Sequence, residues 1–142
     1  MVSMIEQQYL TCLKENGYKC TPHRILMLSY FYKHKDRLIS AKTMMQYLSK
    51  ETQNISYDTI YRNLRLFLDI DVLKSTNFNG KQLFGLKNKP AHQNMFICTE
   101  CQTITPLSFQ AMEIVENSLK DYLINNHKFE VYGICPNCSS HK

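Results

Sequence analysis

Residues 55–67 read ISYDTIYRNLRLF, and their order sorts them onto two faces of one helix. Ile60, Leu64, Phe67 and Leu68 fall at i, i+4, i+7 and i+8, the apolar stripe of a 3.6-residue period. Asp58, Tyr61, Arg62, Arg65 and Asp69 recur on the other side. Ser56 stands where an N-cap belongs. An outward face that carries a tyrosine flanked by arginines is either a solvated surface or a reader of something polyanionic.

The neighbouring sequence gives that helix a context. Residues 3–16 have helical spacing, with Ile5, Tyr9, Cys12 and Leu13 inward and Gly17 as the stop. Thr21-Pro22 supplies a cap and a first-turn proline for a second helix, with Ile25, Leu28 and Phe31 inward. Ser40 caps a third, with Met44, Met45 and Leu48 inward. A short turn then leads into the Ser56 helix, which makes the last two a helix-turn-helix candidate. Asn79-Gly80 follows between two runs of β character. This pair is the strongest two-residue hairpin signal, because both central positions of a type I′ turn need positive φ. A hairpin directly after such a helix is a wing.

The charge follows the same division. The net charge is +5, from 17 Lys and Arg against 12 Asp and Glu. Residues 1–89 hold 14 basic and 7 acidic side chains, and residues 90–142 hold 3 and 5, so the whole surplus lies in the first part. That asymmetry suits a nucleic-acid-binding half joined to a half with another task, although solubilising charge alone would also produce it. No run of about 18 apolar residues is present to span a membrane. The start, MVSMIEQQYL, lacks the basic and apolar regions of a secretory signal. A cytoplasmic location is expected.

After KNKP (87–90), a linker by composition, the pattern changes. NMFIC, TITPL and KFEVYGIC read as short strands. Ser108 reads as the cap of a helix reaching about Asn125, with Met112, Val115, Leu119, Tyr122 and Leu123 on its apolar face. The expected organisation is α+β. An N-terminal winged helix-turn-helix domain (1–86) precedes a small α/β domain (91–142), which is too short to hold together easily on its own core.

That second part contains two cysteine pairs, Cys98/Cys101 and Cys135/Cys138, each after a strand. One such knuckle offers two thiolates along an edge of a tetrahedron, and two knuckles close it around a zinc ion with no open position, a structural site. The 33 residues between the pairs are accounted for if a strand, a helix and a strand bring the knuckles together. Two redox dithiols, an iron centre or packed free thiols remain alternatives. A thioredoxin-type site would place one reactive pair at a helix start instead. Cys12 reads as core and Cys20 as lying near the entry to the second helix. No Ser/His/Asp set, phosphate loop or catalytic carboxylate pair suggests an enzyme.

TPHR, ISYDTIYRNLRLF, the Asn-Gly wing, FICTEC and FEVYGICPNC, in this order, resemble the ferric uptake regulator family over essentially the whole chain. The wording of ISYDTIYRNLRLF and EVYGIC is most similar to the zinc uptake regulator branch. The resemblance implies a cytoplasmic homodimeric repressor that binds a double-stranded DNA operator. Its second domain would dimerise, and metal would set the angle between the DNA-binding arms. It implies that Cys98, Cys101, Cys135 and Cys138 hold one structural Zn²⁺ per chain. It also matches Tyr61 and Arg62 to the recognition-helix pair and Arg24 to a position near the DNA backbone. On the same helix Ser56 and the N-terminus suit phosphate. Tyr57, Thr59 and Arg65 complete the face expected to meet phosphate or base edges.

The sequence departs from the family pattern just before the first cysteine pair, where AHQNMFIC keeps only His92 of the usual histidine cluster. Gln93 and Met95 are poor ligands for a hard or borderline cation, so the site they would feed is expected to be lost. His92, Glu113 and His127, with Asn94 as a weak fourth, match a second site for a regulatory Zn²⁺, Fe²⁺ or Mn²⁺. Three functional readings follow: a metal-responsive repressor of zinc uptake genes, a family member with a degenerate sensor, and a thiol-redox protein.

Overall fold

The computed structural model describes residues 4–87, 94–107, 111–125 and 127–140. The chain divides into two compact units, Met1–Lys87 and Asn88–Lys142.

The first unit begins with α1 (Met4–Glu15), α2 (Pro22–Lys33), a two-residue β1 (Ile39–Ser40), α3 (Ala41–Glu51) and α4 (Tyr57–Asp69). The hairpin β2 (Leu73–Phe78) and β3 (Lys81–Leu86) completes it. The expected punctuation is present. Gly17 takes φ +82°, and the Thr21, Ser40 and Ser56 hydroxyls accept from the backbone N–H three residues on. Each cap satisfies a donor that the first helical turn leaves open. Asn79 and Gly80 both have positive φ, 51° and 73°, as the turn type requires.

Register explains why the hairpin joins the helices. β2 pairs antiparallel with β3 from Leu73↔Leu86 to Phe78↔Lys81, and β1 adds to the other edge of β3 at Ile39↔Phe84. The short β1 carries no sequence signal of its own, and pairing with β3 creates it. Gly85 allows the close approach, since a Cβ there would lie 2.9 Å from Leu38 Cδ2.

The core gathers Leu13, Met27, Leu28, Phe31, Met44, Leu48, Ile60, Leu64 and Phe67 with Leu73 and Phe84 from the hairpin. Met27 is fully buried while Ile25 is only half-buried, and Tyr9, Cys12 and Met45, read as inward, are half-buried and packed against this cluster. On α4, Leu68 is half-buried, and the buried side also takes in Asn63 and Leu66. The stripe is wider than the i, i+4 spacing suggests because α4 packs against both helices and the hairpin. The side chain of Ile5 lies outside the described residues. Lys87, read as linker, is tied to the first unit: its N–H donates to Val72 O at 3.0 Å and its Nζ lies 2.6 Å from Asp71 Oδ1.

The second unit holds β4 (Asn94–Cys98), β5 (Ile104–Pro106), α5 (Ala111–Ser118), β6 (Phe129–Gly133) and the short α6 (Pro136–Ser139). The sheet order is β5-β4-β6, with β5 antiparallel and β6 parallel to the central strand. The parallel pair needs a crossover, and α5 lies within it. Met95, Ile97 and Cys98 are its buried side chains among the described residues.

The helix expected to reach Asn125 ends at Ser118. Leu119 N–H closes the last turn on Val115 O at 2.9 Å, and Asp121 takes φ +64°, which a helix cannot continue through. Neither Gly nor Pro marks this stop. Consequently Leu119, Tyr122 and Leu123 do not form a helical core stripe but lie exposed. Ser108 and the side chain of Met112 are outside the described residues. No helix among the described residues is long and apolar enough to cross a membrane.

Candidate metal centre and nucleic-acid interface

β4 delivers Cys98 at its last residue, and the turn that follows carries Cys101. β6 runs parallel to β4, with Cys98 paired to Gly133, so Cys135 arrives two residues past the same sheet end. Cys135 is the N-cap of α6, and one turn of that helix brings Cys138 round beside it. The four sulfurs all lie within 4.8 Å of one another. Cys98 and Cys138 Sγ are 3.8 Å apart, and Cys101 and Cys135 Sγ are 3.9 Å apart. Four thiolates about 2.3 Å from a zinc ion would be separated by about 3.8 Å along each edge of a tetrahedron. These separations fit such an ion and are far too long for disulfides.

The backbone prepares the sulfurs for charge. Cys101 and Cys135 N–H groups point at Cys98 Sγ, at 3.5 and 3.4 Å. Burial pushes the Cys98 thiol up, but these N–H groups and that of Glu100 outweigh it and bring the pKa down to about 6. Thr103 Oγ1, 3.0 Å from Cys101 Sγ, is the main reason that thiol is also lowered. Without metal, hydrogen bonding to Cys135, then burial, pushes Cys138 up to about 12. A cation held by these four sulfurs would be favoured by the lowered Cys98 thiol and opposed by the raised Cys138 thiol, whose proton it would have to displace. Its affinity should rise with pH.

In the first unit, α4 presents Tyr57, Asp58, Tyr61, Arg62 and Arg65 to solvent. The Tyr57 and Tyr61 rings stack at 6.3 Å. Arg62 pairs with Asp58 one turn earlier, so its guanidinium is held along the helix rather than spread over it. Ser56 Oγ accepts from Thr59 N–H at 3.2 Å, which commits both to the cap. Thr59 is half-buried at the edge of the face. The hairpin β2–β3 follows this helix directly, in the position of a wing.

A family model described as "Ferric uptake regulator family" matches residues 15–132. The chain belongs to the ferric uptake regulator family. The ferric uptake regulation protein of Staphylococcus epidermidis (strain ATCC 12228) is 40% identical over 126 residues, covering 89% of this chain and 90% of its own. The crystal structure of the Vibrio cholerae ferric uptake regulator superposes with a TM-score of 0.72 at 25% identity, over 89% of this chain and 99% of that one. A zinc uptake regulator solved with zinc and DNA shares the fold, with a TM-score of 0.72 at 20% identity over 96% of this chain and 94% of that one.

Ferric uptake regulator family members are metal-responsive regulators of transcription, not enzymes, and the four-cysteine cluster is a group able to hold a metal ion. The relatives named for iron do not single out the zinc branch suggested by the wording of α4 and β6. Of the second-site residues, Glu113 is exposed on α5 and His127 is half-buried before β6. Asn94 is half-buried on β4, opposite Phe129 in register. His92 and Gln93 lie outside the described residues. Met95 is buried.

Arg24 stands apart from the other residues matched to DNA binding in this ferric uptake regulator family chain. Its Nε donates to Asn63 Oδ1 at 3.1 Å and its Nη1 to Lys19 O at 2.8 Å. The partner Asn63 carries no periodicity signal, being a polar residue on the buried side of α4. Only its departure from the apolar pattern could have drawn attention to it.

Proposed function

We propose that this protein is a zinc-containing, dimeric transcriptional repressor of the cytoplasm. It reads a palindromic DNA operator with the Tyr57, Tyr61, Arg62 and Arg65 face of α4 and answers to a metal ion. The observation that carries the reading is the convergence of four sulfurs at zinc spacing in a chain whose other unit exposes an arginine–tyrosine helix beside a wing. When bound, zinc would cross-link the ends of β4 and β6. The cysteine thiolates would hold it, and the N–H groups of Cys101 and Cys135 would offset part of the charge on the buried Cys98.

Ser56 and Thr59, bonded to each other, present the first turn of α4, whose free N–H groups favour phosphate. In this reading Arg62, released from Asp58, and Arg65 reach phosphate or guanine, and Tyr61 a thymine methyl. Arg62→Ala should weaken operator binding by about 1–3 kcal/mol, the scale of one lost base contact. Titration of the variant against the operator at moderate salt tests this, and an unchanged affinity would remove α4 from the interface. The metal sensed is proposed to be zinc, which suits two histidines and a carboxylate. His92, Glu113 and His127, with Asn94, form the regulatory site.

Dimerisation is proposed through the apolar surface of the second unit. Leu123 is 96% exposed and Tyr122 70%, and Ile114, Phe129 and Val131 are exposed as well. Exposed apolar side chains of this size favour a partner, and a second copy with two-fold symmetry is the simplest one. Leu123→Glu should convert the dimer to monomer in sedimentation and lower operator affinity at least about tenfold, because two linked half-site contacts become one. A variant that remains dimeric would move the interface elsewhere.

A further inference from the structure

We infer that Arg24 and Asn63 form a polar clamp that sets the roll of α4, so that Arg24 acts as a positioning residue for DNA readout rather than chiefly as a phosphate contact. The inference rests on the DNA-binding reading above. Asn63 lies between exposed Arg62 and buried Leu64, at the boundary between the reading face and the core, and is itself 5% exposed. Its carbonyl oxygen accepts from Arg24 Nε at 3.1 Å, and its amide nitrogen lies 3.7 Å from Met27 Sδ. Arg24 is anchored from the other side. Its Nη1 bonds Lys19 O at 2.8 Å, its Cζ sits 5.9 Å from the Tyr18 ring centroid, and its backbone N–H donates to the Thr21 cap at 3.3 Å. The bonds thus tie the loop before α2, through Arg24 in the first turn of α2, to Asn63 in the middle of α4, 39 residues beyond Arg24.

Apolar packing alone holds a helix in place but leaves its rotation comparatively soft. At a side-chain radius of about 6 Å, a roll of about 20° moves a side-chain tip by about 2 Å. That is more than a hydrogen bond to a base edge tolerates. A directional bond from a guanidinium that is itself fixed at two further points opposes this roll, and it does so one residue from Arg62. The clamp also satisfies the Asn63 carbonyl, a buried polar group that would otherwise be costly.

The test uses the full-length protein. It compares a duplex that the wild type enriches from a random-sequence library with a shuffled duplex of the same composition, across a range of salt concentrations. Loss of folded protein lowers affinity for both duplexes equally, so their affinity ratio reports positioning. Asn63→Leu and Arg24→Gln should each reduce that ratio by about tenfold, the scale of one misaligned base contact, and leave the slope of affinity against salt unchanged. The double variant should be no worse than either single one. Asn63→Asp, which keeps the acceptor, should retain the ratio within about threefold, because the pairing geometry survives. The clamp is overturned if Asn63→Leu keeps the ratio. It is equally overturned if Arg24→Gln weakens both duplexes alike and lowers the salt slope by about one contact, the signature of a lost phosphate neutralisation. A wild type that enriches no duplex overturns the DNA-binding reading itself, and the clamp with it.

Discussion

Cys98→Ser should empty the four-sulfur site and unfold the second unit. Cys98 is fully buried, ends the central strand, and receives the Cys101 and Cys135 N–H groups. Its removal takes one ligand from a closed set and leaves those donors facing a shorter, neutral side chain. A unit of this size draws only about 3–5 kcal/mol from its own core, whereas structural zinc contributes about 10–16 kcal/mol in comparable small sites. The loss should therefore exceed what the remaining packing can offset. The expected result is no tightly bound zinc by elemental analysis and rapid amide exchange throughout β4 and β6. Cys12→Ser, outside the four, should retain one zinc per chain. Retention of tight zinc by Cys98→Ser would reject the site. The same metal count tests the regulatory site. A second equivalent should appear above one per chain and disappear in Glu113→Ala and His127→Ala, and a wild type that takes up only one would reject it.

Phe67→Ala should destabilise the first unit by about 3–5 kcal/mol, the usual cost of deleting a buried aromatic ring. Phe67 is fully buried in the same cluster as Leu13, Phe31 and Leu48, and its carbonyl accepts the Val72 N–H at 2.9 Å where the chain turns from α4 into the wing. A cavity there loosens the reading helix and the hairpin together. Against a total stability of about 5–15 kcal/mol, this is a large fraction. Denaturant unfolding should show the loss in the first unit, and zinc content should stay the same. A change below about 1 kcal/mol would mean that the site collapses around the smaller side chain and is not close-packed.

Much of the fold can be read from single stretches of the chain. The caps at Thr21, Ser40 and Ser56, the stop at Gly17 and the turn at Asn79-Gly80 depend on one residue's hydroxyl or φ, which its neighbours reveal. The cysteine quartet was legible for a similar reason, since two thiols three residues apart after a strand are a local chemical statement. Where the periodicity ran on without a Gly or Pro, the reading failed. α5 stops at Ser118, and Leu119, Tyr122 and Leu123, read onto its apolar face, lie on the surface.

By itself, then, the sequence determined the helix starts, the hairpin and the four thiols, because each is encoded within a few residues. Only the tertiary structure decided that a two-residue β1 exists, that α5 ends early, and that Asn63 turns inward to meet Arg24. These depend on partners tens of residues away: β3 for β1, and the first turn of α2 for α4. No periodicity or cap can report which polar group will find another across the core. That pairing is settled when burial leaves a carbonyl without water and places one guanidinium within reach.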